Sequence, residues 1–239
     1  MRNIRMLIEY DGTDFFGWQY QPDRRTVQGE LEKALKTVLN EEVKLIGAGR
    51  TDQGVHALGQ VANFSSSSRL DIKKIQKGVN SLTGDDVYIK QIETVEIDFH
   101  SRYSARSKIY RYHMIFEPYP TRIRYNWFVK HRPDTERMKD VFPYLLGEHD
   151  FKGFSVHNGE KNTRCTLFRI NLTETTSGII IEIEGDRFLR KMVRGIVGFV
   201  LDVGRGRFSP GDAEGVLNDG LNGLYFAPAH GLFLVEVKY

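Results

Sequence analysis

The chain has 239 residues, with 34 Lys and Arg against 31 Asp and Glu for a formal charge of +3. That length supports one large domain or two small ones around an ample core, and the single cysteine, Cys165, rules out an internal disulfide and fits a reducing compartment. No charged segment followed by an apolar stretch opens the chain and no apolar run approaches membrane-spanning length, so the expectation is a cytoplasmic protein.

Residues 4–10 read as a strand, 26–39 as a helix, 43–46 and 58–64 as strands, 71–81 as a helix and 87–94 as a strand. The first helix places Leu31, Leu35, Val38 and Leu39 on one stripe, the i, i+4, i+7, i+8 pattern of a half-buried helix. Strand-helix-strand-strand-helix-strand is the ferredoxin-like order. The chain divides near residue 105. Its second half opens on a long strand over 108–116, where period-2 alternation puts Tyr110, Tyr112, Met114 and Phe116 on one face and Arg111 and His113 on the other. Another strand is expected at 126–130. A helix over 134–146 follows, with Met138, Val141, Phe142, Leu145 and Leu146 on its apolar face and Gly147 placed to stop it. Then come a hairpin over 163–173 and 179–184, turning near 176–178, a helix over 186–203, a short helix after Pro210 and a last strand over 232–237. Residues 65–68 and 155–162 read as mobile loops. Cys165 lies in an alternating run with no histidine beside it, which suits a packed thiol better than a nucleophile. The expected fold class is α+β: two ferredoxin-like halves, residues 1–105 and 106–239, sharing a mostly antiparallel sheet with a central active-site cleft.

The chemistry concentrates in Gly47-Ala-Gly-Arg-Thr-Asp-Gln-Gly-Val-His-Ala57, which packs Arg50, Asp52 and His56 into seven residues framed by glycines. Glycine at that density gives a tight loop whose backbone approaches a ligand closely, and a loop hung between two strands is held by the sheet while its tip stays open. Three other readings stand beside a catalytic one. A dinucleotide loop would need its third glycine where Asp52 stands, and no helical pattern follows. A metal held by Asp52 and His56 lacks further clustered ligands. A solvated tip in which Arg50 and Asp52 pair locally is the common reading of an Arg-x-Asp loop.

Charge is uneven along the chain. Residues 102–139 carry ten Lys and Arg against Glu117, Asp134 and Glu136, a local excess of seven positive charges, interleaved with Tyr103, Tyr110, Tyr112, Phe116, Tyr119, Tyr125, Trp127 and Phe128. Cations among aromatics suit RNA, where phosphates meet the charge and splayed bases stack on rings. On the helix expected over 186–203, Leu189, Met192, Val193, Ile196, Val197 and Val200 fall on one side. Arg187, Arg190, Lys191 and Arg194 fall on the other, and like charges at i, i+4 repel by a few tenths of a kcal/mol. Such a face reads as a place for an anion.

The loop Gly49-Arg-Thr-Asp-Gln-Gly-Val-His-Ala57 resembles the catalytic signature of the TruA-type tRNA pseudouridine synthases. So do Tyr10-Asp-Gly-Thr-Asp-Phe-Phe-Gly-Trp-Gln-Tyr-Gln21, Lys108-Ile-Tyr-Arg-Tyr112, Phe188-Leu-Arg-Lys-Met-Val-Arg-Gly-Ile-Val-Gly198 and Ala227-Pro-Ala-His-Gly-Leu-Phe-Leu234, in the family's order. The resemblance implies a pseudouridine-synthase-like fold and isomerisation of uridine, with the usual targets being uridines 38, 39 and 40 in the tRNA anticodon arm. It implies Asp52 as nucleophile or base, Tyr110 stacked on the flipped base, and Arg194 as the arginine that salt-bridges the aspartate. Arg50 would fill the gap in the RNA stack. Gln19, Arg24, Arg25, His56, Arg187, Arg190 and Lys191 are read as further contacts to the substrate RNA. The reaction breaks N1–C1′, rotates the base and rejoins it through C5, with no leaving group and no redox change, so neither cofactor nor metal is required. The covalent and glycal routes both remain open. A homodimer is the family's usual state. The chain departs mildly at Ser107-Lys108, where the family is richer in Arg and Lys, a change that bears on RNA affinity. The other classes to separate are a catalytically silent RNA binder in the same basic region and a metal-dependent RNA-processing enzyme built on Asp52, His56 and His149.

Overall fold

A computed structural model describes every residue except 157, 158, 160, 221 and 222, so the loop expected over 155–162 lies partly outside the described residues. The chain forms two units, Met1–Arg106 with Phe233–Tyr239, and Ser107–Leu232.

The first unit has the ferredoxin-like order of elements. Strand β1 (Arg2–Tyr10) alternates strictly, burying Ile4, Met6, Ile8 and Tyr10. Helix α1 (Val27–Leu39) is capped by Thr26, whose hydroxyl accepts from the Gly29 N–H at 3.2 Å, and it ends where Asn40 turns left-handed at φ 53°. Strand β2 is short (Ile46–Gly47), later than the 43–46 expected, and β3 (His56–Ser66) runs longer than expected. Helix α2 (Ile72–Leu82) is capped by Asp71, which accepts from the Lys73 and Lys74 N–H groups. Strand β4 (Val87–Val95) completes the set. β1 pairs antiparallel with both β3 and β4, and β2 pairs antiparallel with the far end of β3. The last strand (Leu232–Lys238) belongs here too: it runs parallel to the start of β3, with Phe233 opposite His56 and Leu234 opposite Ala57. Residues 65–68 are tied down, because the Ser66 and Ser67 hydroxyls donate to the Glu41 carboxylate and hold it below the usual carboxylate range.

In the second unit, β5 (Ser107–Ile115) carries the aromatic face and β6 (Trp127–Phe128) pairs parallel to its end. The helix expected over 134–146 is broken into α3 (Thr135–Lys139) and α4 (Phe142–Leu145). Pro143 lacks the N–H that would continue α3, so it can only sit in the first turn of a new helix. Met138, Val141, Phe142 and Leu145 are buried nonetheless, while Leu146 is exposed. Strand β7 (Gly147–Asp150) was not foreseen; it pairs with β8 (Arg164–Glu174), which forms the expected hairpin with β9 (Gly178–Gly185). The strands run in the order β5-β9-β8-β7, all antiparallel. Helix α5 (Met192–Gly204) is buried along nearly its whole length, and α6 (Asp212–Asp219) follows Pro210 as expected. Antiparallel sheet with helices in each unit makes the fold α+β.

α5 corrects the sequence reading. It begins at Met192, not at 186. The Asp186 carboxylate accepts from the Thr166 and Arg187 N–H groups at 2.8 and 2.6 Å, and its own N–H donates to the Thr166 carbonyl. That ties residue 186 to β8 as a continuation of the hairpin, and Lys191 is left-handed at φ 61°, which no α-helix interior accommodates. Arg187, Arg190 and Lys191 therefore precede the helix, and of the expected basic face only Arg194 lies on it.

Candidate active site

In the first unit, residues 48–55 leave β2 and enter β3 as a loop tied at every turn. The Ala48 N–H donates to the Val61 carbonyl at 2.8 Å, and Gln60 Nε2 donates to the Gly49 carbonyl at 2.9 Å. The Trp18 N–H donates to the Thr51 carbonyl at 3.1 Å, and the Val55 N–H to the Asp52 carbonyl at 3.1 Å. Beneath the loop, the Tyr10 hydroxyl shares a 2.8 Å hydrogen bond with Thr51 Oγ1. Burial pushes the Tyr10 phenol up to about 12, so it stays protonated near neutral pH. Asp52 is half-buried and Arg50, two residues before it, is exposed.

The segment after β1 clasps this loop. Phe15 and Trp18 are 1% and 2% exposed, and fully burying a side chain of this kind contributes on the order of 1.5–3 kcal/mol. Two glycines let the backbones meet: a Cβ on Gly12 would sit 2.0 Å from the Val55 carbonyl oxygen, and one on Gly17, at φ 86°, would sit 2.5 Å from that of Thr51. Gly12→Ala should therefore push residues 51–55 outward. The expected result is a loss of about 1–3 kcal/mol in denaturant unfolding together with a fall in kcat, since a misplaced reacting group is costly even at ångström scale. A Gly12→Ala protein with wild-type stability and turnover would show that the clasp does not position the loop.

The remaining residues of this unit divide. Arg24 is exposed and lies over the Phe16 ring at 4.6 Å. Arg25 is engaged by Asp86 in two hydrogen bonds of 2.6 and 2.9 Å, which raise its guanidinium pKa, and it lies 4.1 Å from the Phe15 ring centre. Gln19 donates to Gln28 Oε1 at 2.7 Å. His56 is 1% exposed and stacks on Phe233 with centroids 4.6 Å apart. Its Nδ1 lies 3.0 Å from the Gly12 backbone nitrogen. Nδ1 also lies 3.1 Å from Asp11 Oδ1. His56 thus faces protein rather than solvent, contrary to its expected place at an RNA contact; it supports the clasp from inside. Among the described residues no group of three or more His, Cys, Asp or Glu is placed to hold a metal ion.

In the second unit, Tyr110 and Tyr112 lie on one face of β5, as the alternation predicts. Tyr110 is 6% exposed and meets Phe188 edge-on at 5.0 Å. The Tyr112 hydroxyl donates to the Pro228 carbonyl at 2.8 Å, and burial drives its pKa far above the ordinary phenol value. Arg194, in the first turn of α5, donates through Nε to the Ala227 carbonyl at 2.7 Å, while the Ala227 N–H donates to the Arg194 carbonyl. Burial, and then the Arg194 charge, lower the pKa of His230, so this imidazole resists protonation beside the guanidinium. Arg187 donates to the Asn162 carbonyl at 3.1 Å, Arg190 is exposed, and Lys191 lies over Phe226 at 5.8 Å. Sequence reasoning missed two supports: the Tyr10–Thr51 and Gln60–Gly49 bonds under the loop, and residues 227–230, which hold both Arg194 and Tyr112. The closing motif of the resemblance marked the latter stretch only as a strand.

The family described as tRNA pseudouridine synthase matches residues 6–104 and 142–239. The chain is similar to "tRNA pseudouridine synthase A" of Thermoanaerobacter sp. (strain X514), 41% identical over 244 residues and 100% of each chain. The proteins of the same name from Caldicellulosiruptor saccharolyticus and Chlorobium limicola are each 42% identical, again over 100% of both chains. The chain belongs to the tRNA pseudouridine synthase family, and it is an isomerase by that membership. No described helix is long and apolar enough to cross a membrane.

Proposed function

We propose that this protein isomerises uridine to pseudouridine in the anticodon arm of tRNA, at positions 38, 39 and 40, with Asp52 as the catalytic nucleophile or base. One observation carries the assignment to Asp52. The backbone is fixed on both sides of it, by Trp18 at Thr51 and by Val55 at Asp52, within the loop that bears the family signature. A carboxylate so held is pre-positioned for attack at C1′ or C6, or for taking a ribose proton on the way to a glycal. A base inside a stem must be flipped out to reach it. The exposed Arg50 can take the vacated place in the stack through its guanidinium plane. Tyr110 contacts the flipped base and assists removal of the C5 proton; because its ring is buried, the base must enter against its edge or displace Phe188. Arg194 has the role of countercharge to the carboxylate that the family motif suggests for it; within its own unit its Nε donates to the Ala227 carbonyl. Arg24 and Arg190, both exposed, contact RNA phosphates. The working protein is a cytoplasmic homodimer.

The direct test is tritium release from C5-labelled uridine in unmodified tRNA, which follows the isomerisation itself. Binding of tRNA without any tritium release would replace this reading with a silent RNA binder. A second expectation separates the cations of the second unit. Arg194→Met should lower kcat by about 100-fold or more, the usual scale for removing one preorganised electrostatic partner, while tRNA affinity changes little. Arg187→Met, whose guanidinium contacts only a backbone carbonyl among the described residues, should lower affinity slightly and leave kcat intact. Single-turnover rates with separate binding titrations decide the matter, and equal effects of the two substitutions would remove Arg194 from the catalytic set.

A further inference from the structure

Beneath the loop that carries Asp52, two buried polar side chains form a line. β1 and β3 pair antiparallel with Ile8 opposite Gln60 and Tyr10 opposite Ala57, so Gln60 lies diagonal to Tyr10 on the sheet. Gln60 is fully buried and Tyr10 is 3% exposed, with the Tyr10 ring 6.2 Å from that of Trp18. A buried amide or hydroxyl costs free energy unless it is bonded. Gln60 Oε1 accepts from the Val61 N–H at 3.2 Å, and its Nε2 donates to the Gly49 carbonyl at 2.9 Å. The same side chain bonds the Tyr10 hydroxyl, which in turn shares the 2.8 Å hydrogen bond with Thr51 Oγ1. The line therefore runs from the Gly49 carbonyl through Gln60 and Tyr10 to the Thr51 hydroxyl. It begins one residue before Arg50 and ends one residue after it, next to Asp52. An apolar side chain of similar shape would fill position 60 without any amide to desolvate. The polar atoms serve the loop.

We propose that Tyr10 and Gln60 are positioning residues for the reaction, holding Gly49 and Thr51 so that Arg50 and Asp52 keep a fixed relation to each other. This rests on the reading of Asp52 as the reacting carboxylate and of Arg50 as the group that enters the RNA stack, and it adds the residues that place both. Neither Tyr10 nor Gln60 reaches solvent, so both act through the loop and not on the RNA. The loop needs such a hold. Glycine has the greatest backbone freedom, and Gly49 and Gly54 would let an untied segment sample many shapes. A line of side-chain bonds removes that freedom before the substrate arrives, so the reacting step does not bear the cost. Because the Tyr10 phenol is pushed up to about 12, the line keeps the same donors and acceptors across the neutral range. The glycine clasp works on a different part of the loop: Gly12 and Gly17 admit the backbone of residues 51–55, whereas this line reaches residues 49 and 51 from below.

The test is a set of variants read by single-turnover tritium release at saturating tRNA, with tRNA affinity and melting temperature measured alongside. Tyr10→Phe and Thr51→Val each remove one hydroxyl and nearly keep the shape. Each should lower the rate constant by about 10- to 100-fold, the scale of a small misplacement of a reacting group, and leave the dissociation constant in place. The double variant should be no slower than the slower single one, because both break the same line. Thr51→Ser keeps the hydroxyl and should restore most of the rate that Thr51→Val loses. A purely structural role has another signature: melting temperature and reaction amplitude fall with the folded fraction, while the rate constant of the folded molecules stays at the wild-type value. That result overturns the proposal. So do losses that multiply in the double variant, or an affinity that falls in step with the rate. If Tyr10→Phe does not fold, Thr51→Val, Gln60→Met and their combination decide by the same criteria. Absence of tritium release from the wild-type protein would overturn the enzymatic reading instead, whereas wild-type rate constants in the variants remove only the positioning role of Tyr10 and Gln60.

Discussion

Asp52→Asn leaves a folded protein that still binds tRNA and makes no pseudouridine. The side chain is half-buried in a loop held at the Thr51 and Asp52 carbonyls, the Gly49 carbonyl, the Ala48 N–H and the Thr51 hydroxyl. None of these changes when a carboxylate becomes an amide of nearly the same shape, so stability should move by less than about 1 kcal/mol. The loop from 48 to 55 contains no second acid that could take over. A nucleophile or base acts in the transition state, so its loss lowers kcat and kcat/KM together and leaves the dissociation constant in place. Tritium release should fall below detection while the tRNA titration overlays that of wild type. Turnover at more than a trace of the wild-type rate would take the central role away from Asp52.

Tyr110→Phe should bind tRNA nearly as well as wild type and yet form no product, and Tyr110→Leu should lose affinity too. The ring provides stacking worth about 1–3 kcal/mol per base, which phenylalanine keeps and leucine does not. In the proposed mechanism the hydroxyl provides the polar or proton-transfer function, which both variants lose. Tyr112 is the internal control, two residues along the same face of β5. Its hydroxyl is committed to the Pro228 carbonyl and its ring is fully buried against Trp127. Tyr112→Phe should cost about 1 kcal/mol of stability by leaving that carbonyl short of a partner, with activity preserved. Melting curves, binding titrations and tritium release on the three variants separate the roles. Full activity in Tyr110→Phe would reduce Tyr110 to one more core aromatic.

Where a segment's burial repeats with its own geometry, the sequence was legible. β1 buries every second residue, α1 buries Leu31, Leu35 and Leu39, and β5 buries Tyr110, Tyr112 and Met114, all as their periods predict. The loop with Asp52 was legible for another reason: its residues are contiguous, so their types and spacing could be matched to a family signature. The apolar stripe of the helix expected at 186–203 was also real, but its start was misplaced. An apolar period records which face is buried and says nothing about whether a carboxylate at its beginning is tied to a strand twenty residues earlier, as Asp186 is to Thr166.

By itself, then, the sequence determined the buried faces of β1, α1 and β5, the ferredoxin-like order of the first unit and the residue types of the loop that carries Asp52. Those follow from local preference and from the 2.0 and 3.6 periods, which each segment carries within itself. Only the tertiary structure decided that Gly12 and Gly17 admit the backbone of residues 51–55, that His56 is enclosed between Gly12 and Phe233, and that the last strand pairs with the start of β3. It also decided that the Ala227 carbonyl orients Arg194. Each of these is a contact between groups 33 or more residues apart, or depends on one. Such a pairing is selected by the packing and hydrogen bonding of the whole unit, and no window of neighbouring residues contains both partners.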